Sequence, residues 1–222
     1  MKTATWGSRL AIAGLLAGLP GTAYSQSAVG QPERRWQVDL DITGVLMHAG
    51  ATVQAAGMDV PGAGASVSNA VTGIFGVSYL LTPHIAVALD AGIPAQATIG
   101  GTGSIGSLGT IATTRYGAAV LSVQYRFSGL GRWEPYAAAG VGYAAFFATR
   151  GAVVSNAKLS DSWVGSVETG VRYYLDNAWA VRLRIQQLFV GTRISGQLGA
   201  VPVTAKVTLN PTVIGAGLSY RF

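Results

Sequence analysis

Cysteine is absent from the 222 residues, histidine occurs only twice, and charged side chains make up 11%. Without cysteine there is no disulfide, no thiolate nucleophile and no thiolate metal site, a composition that suits an oxidising compartment. Long apolar runs are also missing: beyond residue 25 no window approaches the ~18–20 consecutive apolar residues of a membrane-spanning helix, which excludes a helical membrane protein. Yet half of the residues are hydrophobic. So much apolar surface on so few charges has to be placed by another pattern.

The amino terminus carries one. Lys2 and Arg9 precede an apolar run over residues 10–19, Pro20 and Gly21 break it, and small residues follow at Ala23 and Ser25. Charged, apolar and small-residue regions in this order make a secretory signal peptide, and the run is too short for a spanning anchor. The expected division is a signal peptide at 1–25 and one domain at 26–222. Loss of Lys2 and Arg9 leaves 13 of the 15 basic residues against 9 acids, a net charge of +4 instead of +6. The basic residues are scattered, with no run longer than Arg34-Arg35, which argues against a nucleic-acid partner.

What recurs after residue 25 is a period of two over segments of about ten residues, the signature of a barrel wall with one face in lipid and the other in the lumen. The first segment, 36–47, sets Trp36, Val38, Leu40 and Ile42 against Gln37, Asp39, Asp41 and Thr43. The second, 70–81, turns Phe75, Val77, Tyr79 and Leu81 outward, and a tight turn at Thr82-Pro83-His84 leads to a third with Ile85, Val87, Leu89 and Ala91 outward and Asp90 inward. In the fourth, 114–127, Leu121, Val123, Tyr125 and Phe127 oppose Ser122, Gln124 and Arg126; in the fifth, 134–147, Ala137, Ala139, Val141 and Tyr143 face lipid. The sixth, 162–175, opposes Trp163, Val167, Val171 and Tyr173 to Ser166, Glu168 and Arg172, and the seventh opposes Trp179, Val181, Leu183 and Ile185 to Arg182, Arg184 and Gln186. The eighth, taken as one strand over 207–222, ends with Ile214, Ala216, Leu218, Tyr220 and Phe222 outward and Gly215, Gly217, Ser219 and Arg221 inward.

Connections alternate between short (82–84, 128–133, 176–177) and long (48–69, 98–113, 148–161, 193–206). Short periplasmic turns and longer outer loops are the habit of outer-membrane barrels. Trp36, Tyr79, Tyr125, Trp133, Tyr173, Trp179, Tyr220 and Phe222 then all fall at the periplasmic ends, as an interfacial aromatic girdle requires. The expected fold is all-β, an eight-stranded antiparallel transmembrane up-and-down β-barrel in the Gram-negative outer membrane. A soluble sandwich would have to expose the apolar face or bury the charged one.

Four motifs in order carry a family resemblance: Leu81-Thr82-Pro83-His84-Ile85-Ala86-Val87 with Ile93-Pro94; Glu134-Pro135-Tyr136 with 140–147; Leu159-Ser160-Asp161-Ser162-Trp163 with 170–174; and Leu209-Asn210-Pro211 with 217–222. Along nearly all of the mature chain the sequence resembles the OmpW family of outer-membrane proteins. The resemblance implies an eight-stranded barrel that passes small hydrophobic molecules, with a lateral exit toward the bilayer lipid. It also implies that the terminal aromatics, Tyr220 and Phe222, form the signal met by the barrel-assembly machinery. The loops depart from the family pattern in being rich in Gly and Ala.

The inward positions divide by height. Asp39, Asp41, Gln124, Arg126, Glu168, Arg172, Arg182 and Arg184 lie toward the periplasm, with Asp90 near mid-height. Unpartnered buried charge costs several kcal/mol, so these acids and arginines are expected to pair into a plug; an ion-selective constriction is the alternative. Toward the outside, Val45, Met47, Ile74, Val120, Phe146, Leu188, Val190 and Val213 form either simple filling or a vestibule for apolar solutes. Pro94 has no N–H to give the ladder, which marks either an exit through the wall or a bulge above the membrane.

Other functions are weighed on the same residues. A lipid-modifying enzyme needs a base beside a nucleophile, and only His48, at the outer rim near the first loop, where a loop serine and Asp59 would have to complete a triad, and His84, in a periplasmic turn, are available. No Gly-x-Ser-x-Gly elbow or His-Glu-x-x-His site occurs, and Gly100, Gly101, Gly103 and Gly106 lack the lysine and helix of a phosphate loop. No enzyme, cofactor or metal is expected. A structural, adhesive or receptor barrel remains the main alternative to transport.

Overall fold

The computed structural model describes residues 34–151, 155–198 and 201–222; the expected signal peptide lies outside them. Eight antiparallel strands form the wall: Trp36–Leu46, Ala70–Leu80, Ile85–Gly92, Thr110–Arg126, Trp133–Gly151, Ser162–Tyr174, Trp179–Leu198 and Thr212–Arg221. Each pairs with its neighbour in sequence, and the first closes on the eighth from Gln37–Arg221 to Leu46–Thr212. Closure leaves no edge, the condition for strands to cross lipid. The terminal residue takes part in it, because Phe222 N–H donates to Trp36 O at 2.9 Å and Trp36 N–H to Phe222 O at 3.2 Å.

The alternation explains which way each strand faces. Ile42 is 74% exposed and Val141 63%, whereas Arg126, Arg172 and Arg182 are wholly buried. Apolar side chains outside and charges inside invert the order of a soluble protein, and lipid is the solvent that makes the inversion stable. The lower girdle is built from ring pairs: Trp36 with Tyr79 at 4.9 Å, Trp133 with Tyr173 and Trp179 with Tyr220 at 4.8 Å, and Tyr125 with Phe127 at 5.0 Å.

The short turns are closed by side chains. Thr82 Oγ1 accepts from Ile85 N–H at 3.0 Å, and Asp176 accepts from Ala178 N–H and Trp179 N–H, both at 2.7 Å. Those two backbone donors hold the Asp176 carboxyl below its ordinary pKa. The turn's contribution is therefore present at neutral pH and fades as the pH falls through that lowered value.

Above the membrane the structure departs from the expected loops. Ala49–Ala55, Ala63–Val67, Ala95–Gly103, Ser155–Leu159 and Val201–Leu209 are strands that extend the wall. Val201–Leu209 pairs with the upper part of the seventh wall strand on one side and with Ala49–Ala55 on the other. The single last strand expected over 207–222 is thus two strands, parted at Asn210 and Pro211. Pro211 cannot donate to a ladder, and the carbonyls of Asn210 and Pro211 accept from Gln187 Nε2 at 2.9 and 3.3 Å, that of Pro211 also from Leu188 N–H at 3.0 Å. The glycine-rich stretch is also structural. Gly103 takes φ 63°, and a Cβ there would collide with the Gly62 carbonyl in the tight Ala63–Gly103 pairing.

On the eighth strand two glycines make room across the lumen. Gly215 and Gly217 pair with Arg184 and Arg182, and a Cβ on Gly217 would overlap the Leu40 carbonyl and Asp41. Gly217→Ala is expected to cost about 1–3 kcal/mol by overpacking. Gly44→Ala, where a Cβ meets nothing within 4 Å, is expected to leave stability unchanged within ~0.5 kcal/mol. Urea unfolding in lipid vesicles, followed by tryptophan fluorescence, checks the contrast; equal losses would contradict it.

Candidate functional site: a charged layer beneath an apolar chamber

The lower lumen holds one connected charge network. Arg182 lies 2.6 Å from Asp39, 3.2 Å from Glu168, 3.5 Å from Asp41 and 4.0 Å from Asp90. Arg184 reaches Glu168 at 2.5 Å, Asp41 at 3.3 Å and Asp90 at 3.5 Å. Arg172 joins Asp39 at 3.4 Å and stacks 4.4 Å from the Tyr136 ring centroid. Arg126 is held mainly by neutral acceptors: Gln37 Oε1 at 2.9 Å, Ser78 Oγ at 3.0 Å and Gln124 Oε1 at 3.2 Å. The wall dictates this geometry, because these side chains occupy inward positions on seven of the eight strands and the lumen is narrow enough for all to meet.

The network is larger than the sequence reading placed there. Glu134 is a fifth acid, 3.0 Å from Arg221, 3.5 Å from Arg126 and 3.6 Å from Arg172. It follows that Asp39, Asp41, Asp90, Glu134 and Glu168 balance Arg126, Arg172, Arg182, Arg184 and Arg221, five against five. Tyr136 donates to Glu168 at 2.7 Å, Tyr174 donates to Glu134 at 3.2 Å, and Ser219 donates to Asp39. Parity already points Glu134 inward, since the segment 134–147 begins on it and Ala137 and Ala139 face lipid, yet the expected plug did not include it.

Above the layer the lumen changes character. Val45, Met47, Ile74, Val120, Phe146, Leu188, Val190 and Val213 line a single cavity of about 100 Å³. Val67, Ile99, Ile194, Val207 and Leu209 continue its lining into the extension strands, a contribution hidden in what looked like loop. Asp90 and Gln186 are its polar floor, where Gln186 Oε1 accepts from Arg184 at 2.9 Å. Among the described residues no group of three or more His, Asp or Glu side chains is placed to hold a metal. His48 is exposed at the rim, and His84 Nδ1 lies 3.1 Å from Ser128 Oγ in a periplasmic turn.

Pro94 lies in a break of the wall, not within a strand. It falls between Ile85–Gly92 and Ala95–Gly103. Pairing to the fourth wall strand passes from Ala91–Ala119 to Ala95–Tyr116, four residues against three, which is a bulge. Toward the second wall strand the register ends at Ile74–Gly92, Ile93 N–H still reaches Gly73 O at 2.8 Å, Thr72 Oγ1 donates to Ile93 O at 2.7 Å, and the next backbone hydrogen bond is Ser68 N–H to Thr98 O at 3.0 Å. The cavity reaches the wall here, at Thr72, Ile93, Ala95, Ala97 and Gly117. Pro94 itself is exposed on the outer side and does not line the cavity.

Comparison with known proteins gives this barrel a family. The model of the OmpW family matches residues 35–222. The chain is 31% identical to outer membrane protein AlkL of Ectopseudomonas oleovorans over 200 residues, 90% of this chain and 87% of that one. It is 30% identical to the dibenzothiophene metabolism operon protein PahQ of Pseudomonas aeruginosa over 86% of this chain and 90% of that one. The crystal structure of OprG from Pseudomonas aeruginosa superposes with a TM-score of 0.79 at 23% identity, covering 84% of this chain and 95% of OprG. The chain is an outer-membrane β-barrel and belongs to the OmpW family.

Proposed function

We propose that the barrel carries small hydrophobic molecules from the cell exterior into the apolar chamber and releases them sideways into the outer membrane. The observation that carries this reading is the change of lumen from apolar to fully charged across Asp90 and Gln186. An apolar solute gains by leaving water for the chamber, but it cannot continue downward without separating buried ion pairs. The break beside Pro94, where the ladder to the second wall strand stops at Ile93 and the chamber reaches the wall, is the exit we assign. A cavity of about 100 Å³ favours slender or flat solutes. That the relative PahQ is named for dibenzothiophene metabolism makes a flat aromatic of this kind a sensible probe.

The test is uptake of dibenzothiophene by liposomes containing the barrel, with ion conductance measured in parallel. Faster solute uptake without a conductance step is the expected result; no solute flux, or a stable ion current, would overturn the proposal. Pro94→Ala restores an N–H at the break and is expected to slow delivery severalfold, each ladder bond being worth about 1 kcal/mol. Unaltered delivery by a normally inserted Pro94→Ala protein would refute the lateral exit while leaving the chamber intact.

A further inference from the structure

A second feature lies outside the barrel, at the upper edge of its lipid-facing band. Tyr143, Trp163 and Phe189 each stand ten residues along their own strands from a lower-girdle aromatic, namely Trp133, Tyr173 and Trp179. Ten residues at ~3.3 Å each, tilted by ~40°, rise about 25 Å, the height of the apolar band. On the fourth wall strand the position ten residues above Tyr125 is Arg115. It points outward, because its neighbours Thr114 and Tyr116 line the chamber. A cation therefore stands where the fifth, sixth and seventh strands carry interfacial aromatics.

Arg150 is brought beside it by a bulge. Arg115 pairs with outward Phe147, and Thr113 with Arg150, so two steps on one strand meet three on the other. Strict alternation from Phe147 would send Arg150 into the lumen; the extra residue returns it to the outer face. Arg115 and Arg150 become diagonal neighbours, roughly 7–8 Å apart at Cα, and share one groove with Gln96 and Thr113. Like charges so placed repel unless an anion joins them. No acid does so among the described residues. Of the two acids above the girdle, Asp59 accepts from Gln54 Nε2 at 2.8 Å, and Asp161 accepts from the Tyr143 hydroxyl at 3.3 Å and Phe146 N–H at 3.0 Å. The imbalance is general at this height. Five basic residues, Arg115, Arg150, Lys158, Arg193 and Lys206, face those two acids in sequence, and Arg193 and Lys206 are direct cross-strand partners.

We infer that the Arg115–Arg150 groove binds a phosphate of the phosphorylated glycolipid in the outer leaflet. Two guanidinium groups can clamp a phosphate through charge-assisted paired hydrogen bonds, with Gln96 and Thr113 as additional donors. The lipid's acyl chains then lie along the apolar wall below, over Phe147 and Leu121, both about half exposed. A free anion would use the same groove without that apolar contact, which is why the lipid is favoured.

Native mass spectrometry of the full-length folded barrel in mild detergent tests this with three ligands: bisphosphorylated lipid A, the same lipid after dephosphorylation, and inorganic pyrophosphate. Bisphosphorylated lipid A should be retained, and dephosphorylation should weaken retention about tenfold or more. Arg115→Gln with Arg150→Gln should weaken it comparably, Arg115→Lys with Arg150→Lys should recover most of it, and Arg132→Gln at the periplasmic end should have no effect. Equal binding of dephosphorylated lipid, or full binding by the double glutamine variant, would overturn the inference. Competition by pyrophosphate at the same concentration as lipid would also overturn it, by assigning the groove to a free anion. The dephosphorylated-lipid arm uses the unaltered protein, so the inference stays falsifiable even if the glutamine variant fails to fold.

Discussion

Arg182→Met is expected to cost the folded barrel about 3–5 kcal/mol, the loss that follows when one partner of a buried ion pair is removed. Arg182 is wholly buried and lies within 4.0 Å of Asp39, Asp41, Asp90 and Glu168. Methionine fills much of the same volume, so the cost is that of buried acids left short of a cation. Removing Asp39 as well, as Arg182→Met with Asp39→Leu, should recover a large part of the loss, because a buried pair replaced by apolar groups is often near neutral. Urea unfolding in vesicles measures both variants. A single-variant loss below about 1 kcal/mol, the scale of a solvated pair, would mean that water reaches the layer and that it does not seal the lumen. If the layer seals the lumen, the same variant should also conduct more ions than the parent.

The wall was legible in the sequence and the upper barrel was not, for one reason. Within lipid outward residues are predominantly apolar, so strands such as Trp36–Leu46 alternate between Leu40 and Asp41. Above lipid the outward face meets water and the segments are short and rich in glycine, so in Ala95–Gly103 inward Ala97 and Ile99 alternate with Gln96 and Thr98 over only four residues before Gly100 and Gly101 erase the pattern. That contrast is too weak to separate strand from loop. The charged layer was readable from parity, as in Arg182 and Arg184; the same parity points Glu134 inward, but at the first position of its segment its membership rests on its contacts with Arg221, Arg126 and Arg172. Arg150 shows the firmest limit: strict alternation from Phe147 puts it inside, and only the pairing register, with its bulge, places it outside.

Leu188→Glu is expected to reduce hydrophobic-solute uptake by at least about tenfold, equivalent to roughly 1.4 kcal/mol of lost partitioning. Leu188 lines the chamber, is 9% exposed, and belongs to the apolar cluster with Val45, Ile74, Val120, Val190 and Val213. An ionised carboxylate there cannot be buried unpaired, so it holds water in the chamber or takes up a proton, and in either state the apolar solute faces a polar competitor. The glutamate lies above the layer, where Gln186 and Asp90 form the floor, so the ion pairs below stay intact and the lumen stays closed to ions. Leu188→Met keeps volume and polarity and should retain uptake, since such swaps in packed apolar sites cost less than ~1.5 kcal/mol. The pair of variants separates two roles of the same side chains. If Leu188 only fills the lumen, Glu should lower stability and leave the flux of correctly folded protein unchanged. If the chamber is the solute's path, flux falls in protein that still folds. Flux per folded barrel, scored by heat-dependent gel migration, distinguishes these outcomes, and unchanged flux in folded Leu188→Glu protein would remove the chamber from the transport route.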